Sequence, residues 1–324
     1  MGAPVDPMGP SMTASSTRPG PRPRVPRATG ARTPAPTAPG APSYHRLSGL
    51  TPVLTVRCAP PRRGGGWLPV ADLAARPEAV RELIAHDARQ GLARYGQPLR
   101  PDVAAGFGLH RFVWPVSLLF TLPWFLERRV PLLSLGDVAL RRRPDAVELT
   151  VRPAEFACLP DDPAAGSGAG SKPGTAVGPE WARTVPDEAA LAATLRSALG
   201  AFLAPVLTAF GPEARRGPRV LWAMATDAVV EGLCYAGGLL GERERARAEL
   251  SALLAPGGPP DPARTPGAGD RPAPAPFIPG AGFTPPAPGG GGAPALERSR
   301  ASCCLVYTAD PKGMCGGCPR VTRR

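Results

Sequence analysis

The sequence predicts a mainly helical α+β protein, with a helical body, a small β-hairpin and a cysteine-rich loop near the C-terminus. Three observations lead there. Apolar residues recur at helical spacing over long stretches, a single short stretch alternates at period two, and four of the seven cysteines fall in the last twenty-two residues. Of 324 residues, 46 are proline and 39 glycine, about a quarter of the chain. Such residues resist regular packing, so roughly 200 residues are expected to be structured, near the size at which one core closes.

Three low-complexity stretches, residues 1–42, Pro160–Gly178 and Pro256–Pro294, are too rich in Pro and Gly to offset their ordering entropy and are expected to be flexible. The organisation that follows is an extension over 1–42, a helical part with the hairpin over 43–160, a linker over 161–185, a second helical part over 186–255, a Pro/Gly linker over 256–297, and the cysteine segment over 298–324.

The first folded part opens near Tyr44. A helix is predicted from Pro77, which suits a first helical position, with Val80, Leu83, Ile84 and Ala88 on one face. The most apolar run, Phe112–Leu126, contains Pro115 and Pro123 and falls short of the roughly 18 residues that span a bilayer. It is expected to be a buried helix, with at most a peripheral contact to a membrane. Leu133 and Leu135, the turn Arg143-Pro144-Asp145, and the alternation of Val147, Leu149 and Val151 with Glu148, Thr150 and Arg152 predict the hairpin.

In the second helical part Asp187 suits an N-cap, and Leu191, Leu195, Leu199, Phe202 and Val206 lie at helical spacing, with Pro205 expected to kink or end the helix. A further helix is predicted from Pro218 to a break around Gly237-Gly238. A charged helix over Glu242–Leu254 follows, with Arg245 one turn from both Glu242 and Glu249.

The net charge of +12 is almost all arginine, with Lys172 and Lys312 the only lysines, and the few aromatics do not interleave with the basic residues as a stacking platform for bases requires. Nucleic-acid binding is therefore not expected. Met1–Pro42 lacks the apolar stretch of a secretory signal, so a cytoplasmic, reducing location is expected, and an odd cysteine count argues against a disulfide framework.

The chemistry concentrates in the pattern C-C-x10-C-x2-C formed by Cys303, Cys304, Cys315 and Cys318. Four thiols joined by a short loop form a ligand set for an iron–sulfur cluster or for zinc. Cys315-Gly316-Gly317-Cys318 lets two sulfurs face one metal, whereas adjacent cysteines in extended chain point to opposite sides, a demand that a binuclear cluster relaxes. Structural zinc sites usually pair two separated C-x2–4-C knuckles, which this pattern lacks. A thiol–disulfide site at Cys315 and Cys318 lacks a surrounding βαβ pattern. Cys58, Cys158 and Cys234 stand alone and are expected to be small core residues, as Trp114 and Trp222 are expected to be core. His45, His86 and His110 share no metal-like spacing. Asp227 and Glu231, one turn apart, are expected to pair with surface arginines such as Arg215, Arg216 and Arg219.

The cysteine pattern, with Leu305, Tyr307 and Pro319 around it, resembles the C-terminal segment of the FhuF-like ferric siderophore reductases. A weaker resemblance extends to Leu203-Ala204-Pro205-Val206, to Arg219-Val220-Leu221-Trp222 and to the apolar helix before the hairpin. The resemblance implies a [2Fe-2S] cluster on Cys303, Cys304, Cys315 and Cys318, a ferric siderophore substrate, and a soluble electron donor of ferredoxin, flavodoxin or flavin reductase type. The same cluster could instead serve an electron carrier or a redox or iron sensor. The cationic residues Lys312, Arg320, Arg323 and Arg324 lie beside the cysteines in sequence.

Overall fold

The computed structural model describes residues 40–153, 155–165, 182–254, 277–278, 281–284, 297–310, 318 and 320. The expected flexible stretches lie mostly outside these residues, as do Lys312, Cys315, Arg323 and Arg324.

The chain enters with helix α1 (Ala41–Leu50), strands β1 (Leu54–Cys58) and β2 (Trp67–Pro69), and helices α2 (Val70–Ala75), α3 (Pro77–Tyr95) and α4 (Pro101–Glu127). Helix α4 is the axis of the molecule, with every residue from Val103 to Phe125 buried except Arg111. It runs well beyond the predicted apolar stretch because Val103 to Leu109 continue with small and apolar side chains that neighbours can cover. Its length and composition, like those of the later helix Glu188–Ala214, would suffice to cross a membrane, but 94% of the apolar window of α4 is buried within the protein.

Neither Pro115 nor Pro123 ends α4. A helical proline removes the donor for the carbonyl four residues earlier. For Pro123 that carbonyl belongs to Leu119, and the buried Tyr44 hydroxyl donates to it at 2.6 Å. Helix α1 approaches closely enough to do this because Gly40, at φ 75°, stands where a Cβ would meet the Pro123 ring at 2.9 Å.

Next come β3 (Arg129–Pro131), β4 (Val138–Arg142), β5 (Val147–Val151), β6 (Phe156–Cys158) and β7 (Ala182–Thr184). The predicted hairpin is β4–β5, antiparallel with Leu140 opposite Leu149, but Leu133 and Leu135 precede it, Leu135 opening a 3₁₀ turn. It is also part of a larger sheet. Strand β1 adds in parallel to β5 and β2 antiparallel to β4, giving the order β1-β5-β4-β2. A second sheet, β3-β6-β7, places a strand in the expected linker over 161–185.

Helices α5 (Glu188–Ala214), α6 (Pro218–Leu239) and α7 (Arg243–Leu254) complete the body. Asp187 caps α5, accepting from the Ala190 amide at 2.8 Å, and Leu191, Leu195, Leu199, Phe202 and Val206 are all buried. Pro205 does not break α5; it and Ala201, whose carbonyl loses its donor, are both exposed, so water can satisfy that carbonyl. Helix α6 ends at Leu239, one residue past the predicted break at Gly237-Gly238. At Gly237 a Cβ would lie 2.5 Å from the Ala246 Cβ, so glycine there permits α7 to pack closely. Arg245 bridges Glu242 and Glu249 at 2.6 and 2.9 Å, as the spacing predicts.

On α3 the buried positions are Ala79, Val80, Leu83, Asp87 and Gly91, so the predicted face is rotated and Ile84 and Ala88 are only half-buried. Within the expected Pro/Gly linker, Phe277 is buried against the helical body, the Ile278 amide donates to Thr226 Oγ1 at 3.1 Å, and β8 (Gly282–Thr284) pairs with β9 (Glu297–Ser299). This stretch is thus anchored where its occasional apolar residues find cover.

Candidate metal centre

The cysteine segment is hydrogen-bonded to α6 and packs against α4. The two helices cross closely at Gly232, where a Cβ would meet the Trp114 carbonyl at 3.0 Å. That crossing brings Asp227 and Glu231 of α6 beside the chain leaving β9. Asp227, 1% exposed, accepts from the amides of Ala301 and Ser302 at 2.8 and 2.9 Å and from Ser302 Oγ at 2.5 Å. Glu231 pairs with Arg298 at 2.9 Å and lies 3.8 Å from Arg300 and 3.5 Å from His110. Arg298 also donates to the Asp227 carbonyl at 3.0 Å, and the buried Arg300 lies 3.9 Å from the Asp227 carboxylate.

Two carboxylates therefore meet two guanidinium groups in a buried, mutually neutralising set. Burial raises the Glu231 carboxyl, but His110, Arg298 and Arg300 outweigh it and hold the group well below the usual carboxylate range. The expected surface pairing of Asp227 and Glu231 with Arg215, Arg216 and Arg219 does not occur. Their partners lie some seventy residues on, a separation that helical spacing alone does not reveal.

Directly after Ser302, Cys303 is half-buried and Cys304 buried. Leu305 then takes the left-handed conformation, φ 60°, and turns the chain into a 3₁₀ turn over Val306–Thr308. Thr308 Oγ1 donates to the Leu305 carbonyl at 2.7 Å, and Gln97 holds the Ala309 carbonyl at 2.8 Å. Cys304 and Cys318, fourteen positions apart, are buried in one apolar cluster with Val103, Phe107 and Val306, against which Tyr95, Leu99 and Leu305 pack. Cys303 lines a narrow crevice with Asp102, Gly106, Arg216 and Met224. Arg320 is exposed and stacks over Tyr307 at 4.1 Å.

Residues 300–320 match the family model of the FhuF 2Fe-2S C-terminal domain. The chain is thus an iron–sulfur protein carrying that domain, and its cofactor is a [2Fe-2S] cluster. The FhuF domain match is confined to the segment with the four cysteines, and no curated protein matches the chain. The residues present fit such a group: Cys303, Cys304 and Cys318 are free thiols, and two of them sit in a dry apolar cluster of the kind that shields a cluster from water. Among the described residues no three metal-ligating side chains converge on one point, and Cys315 lies outside them.

The remaining cysteines differ from one another. Cys158 is buried as expected, Cys234 is half-buried with its thiol pushed up to about 11 by burial, and Cys58 is exposed at the end of β1 rather than in the core. Trp114 and Trp222 are buried. Sequence reasoning did not single out Arg298, Arg300, Ser302 or the buried His110 as part of the site. The position of Ser302 directly before the cysteine pair was the available signal, since a buried amide-and-hydroxyl donor there calls for a buried acceptor.

Proposed function

We propose that Cys303, Cys304, Cys315 and Cys318 hold the [2Fe-2S] cluster, and that the protein passes single electrons from a soluble donor to the iron of a ferric siderophore, releasing it as ferrous iron. The observation that carries this reading is the shared burial of Cys304 and Cys318 against α4, inside the stretch matched to the FhuF 2Fe-2S domain. Bound there, the cluster supplies a one-electron reductant whose potential is set by charge, hydrogen bonding and exposure.

The chain's own residues position and tune that centre. Asp227 fixes the backbone of Ala301 and Ser302, so the cysteine pair leaves a rigid point on α6. Val103, Phe107 and Val306 exclude water from the buried thiols. The exposed Arg320 brings positive charge near the cysteine segment, whereas Arg216, in the crevice with Cys303, lies 3.9 Å from Asp102 and Arg298 and Arg300 are offset by Asp227 and Glu231. Such charge raises the potential and steers an acidic donor of ferredoxin, flavodoxin or flavin reductase type. In the substrate, hard oxygen ligands hold ferric iron, and one added electron lowers its charge density and loosens those bonds. A cytoplasmic location suits free thiols and a soluble donor.

The test follows ferrous ion in a trapping chelator when the reduced protein meets ferric siderophores. Ferrous release in step with reoxidation supports the reductase; reoxidation without release favours an electron carrier or sensor.

A further inference from the structure

Next to the cysteine segment, α3, α4 and the β4–β5 turn enclose a cavity of about 580 Å³, well inside the range of small-molecule sites. Its walls are cationic. Arg94, Arg111, Arg142 and Arg143 line it, against one lining carboxylate, Asp145. Arg111 and Arg142 share a single oxygen of the buried Asp87, each at 2.8 Å, so two cations meet one carboxylate. Arg94 has no carboxylate partner among the described residues and stacks on Tyr95 at 5.7 Å. Arg143 reaches Glu148 outside the cavity at 2.8 Å, a carboxylate it shares with Arg141 at 2.6 Å and Arg57 at 3.4 Å. Burial, then Arg142, pulls the His86 imidazole below its ordinary value, which leaves the wall a neutral ring able to donate or accept. In the same wall Trp114, 7% exposed, buries its indole N–H with no acceptor among the described residues.

Two aromatic rings connect the cavity's arginines to the cysteine cluster. The Arg111 guanidinium lies over Phe107 at 5.9 Å, and Arg94 lies over Tyr95. Phe107 belongs to the apolar cluster of Cys304 and Cys318, and Tyr95 packs against it. His110, also in the cavity wall, contacts Glu231, which grips Arg298 of the cysteine segment.

We propose that this cavity binds the ferric chelate and selects an anionic one, with oxygen-rich, negatively charged ligands facing Arg94, Arg111 and Arg142 and an apolar edge against Trp114. This rests on the reductase reading. The ferric ion gains the one electron that the reduced donor gives up through the cysteine centre, and no covalent bond forms.

The probe is gallium(III) tris(catecholate), a trianion whose metal is not reducible under these conditions, titrated calorimetrically into the cluster-loaded protein. A neutral gallium tris(hydroxamate) is the comparison. Arg94 is exposed, so Arg94→Ala leaves the fold intact by circular dichroism; Arg111→Ala leaves Asp87 paired with Arg142. The expected result is preferential binding of the trianion, about tenfold weaker for each arginine removed, with the visible spectrum of the cluster unchanged. Equal affinity for the neutral complex, or binding indifferent to both substitutions, overturns the assignment even where ferric chelates still reoxidise the cluster. Arginine-dependent gallium binding without reoxidation by any ferric chelate keeps the anion site and overturns the reductase reading instead.

Discussion

Asp227→Asn removes one of the two acceptor oxygens under the cysteine pair while preserving shape. In wild type one oxygen takes the Ala301 amide at 2.8 Å and the other takes both the amide and hydroxyl of Ser302 at 2.9 and 2.5 Å. An asparagine keeps an oxygen for one of these sets and turns an N–H₂ donor toward the other. At least one buried donor then goes unpaired, at about 1–3 kcal/mol, and the surviving bonds lose their charge-assisted part, about 1 kcal/mol more. The nearby Arg300 keeps Glu231 at 3.8 Å. A total of about 3 kcal/mol corresponds to roughly 150-fold in the opening equilibrium of the segment. Hydrogen exchange followed by mass spectrometry reads this directly: the Ala301 and Ser302 amides should exchange on the order of 100-fold faster, with α6 nearly unchanged, because the segment opens as a local unit. Unchanged protection at Ala301 and Ser302, or an equal loss throughout α6, would refute the clamp.

Gly237→Ala should destabilise by about 1–3 kcal/mol through overpacking against Ala246, lowering Tm by several degrees, and Ala246→Gly in the same chain should restore much of it. Burial, then Glu127, raises the Cys58 thiol, yet alkylation at mildly alkaline pH should modify the exposed Cys58 before the half-buried Cys234, with its thiol near 11, and the buried Cys158; a mass-spectrometric time course checks the order. Hydrogen bonds from Arg143 and Arg141 hold Glu148 down to about 2. A carboxyl depressed in the folded state adds stability above its ordinary value, about 4.3, and loses it as pH falls toward 2. Glu148→Gln should therefore flatten the acid limb of stability measured by denaturant titration between those values.

Much of the body was legible because apolar residues recur at helical spacing and the caps and ion pairs follow local rules. The leucine ladder of α5, its Asp187 cap, the ion pairs of α7 and the β4–β5 alternation all appear where spacing placed them. Pro205 misled because the Ala201 carbonyl, whose donor it deletes, is exposed and open to water. Strands β1 and β2 were missed because three to five residues carry too little periodicity, and their partners come from far along the chain. The cysteines announced the metal chemistry by spacing alone. Their support did not: Asp227 and Glu231 look like a helix surface until Arg298, Arg300 and Ser302 are folded onto them.

The most direct measurement is the metal content of the anaerobically purified protein and of Cys303→Ser, Cys304→Ser, Cys315→Ser and Cys318→Ser. The account predicts about two iron and two acid-labile sulfide per chain with visible absorption in wild type, lost in each variant. Stoichiometric zinc without sulfide, or a variant that keeps the full iron and sulfide complement, would contradict it.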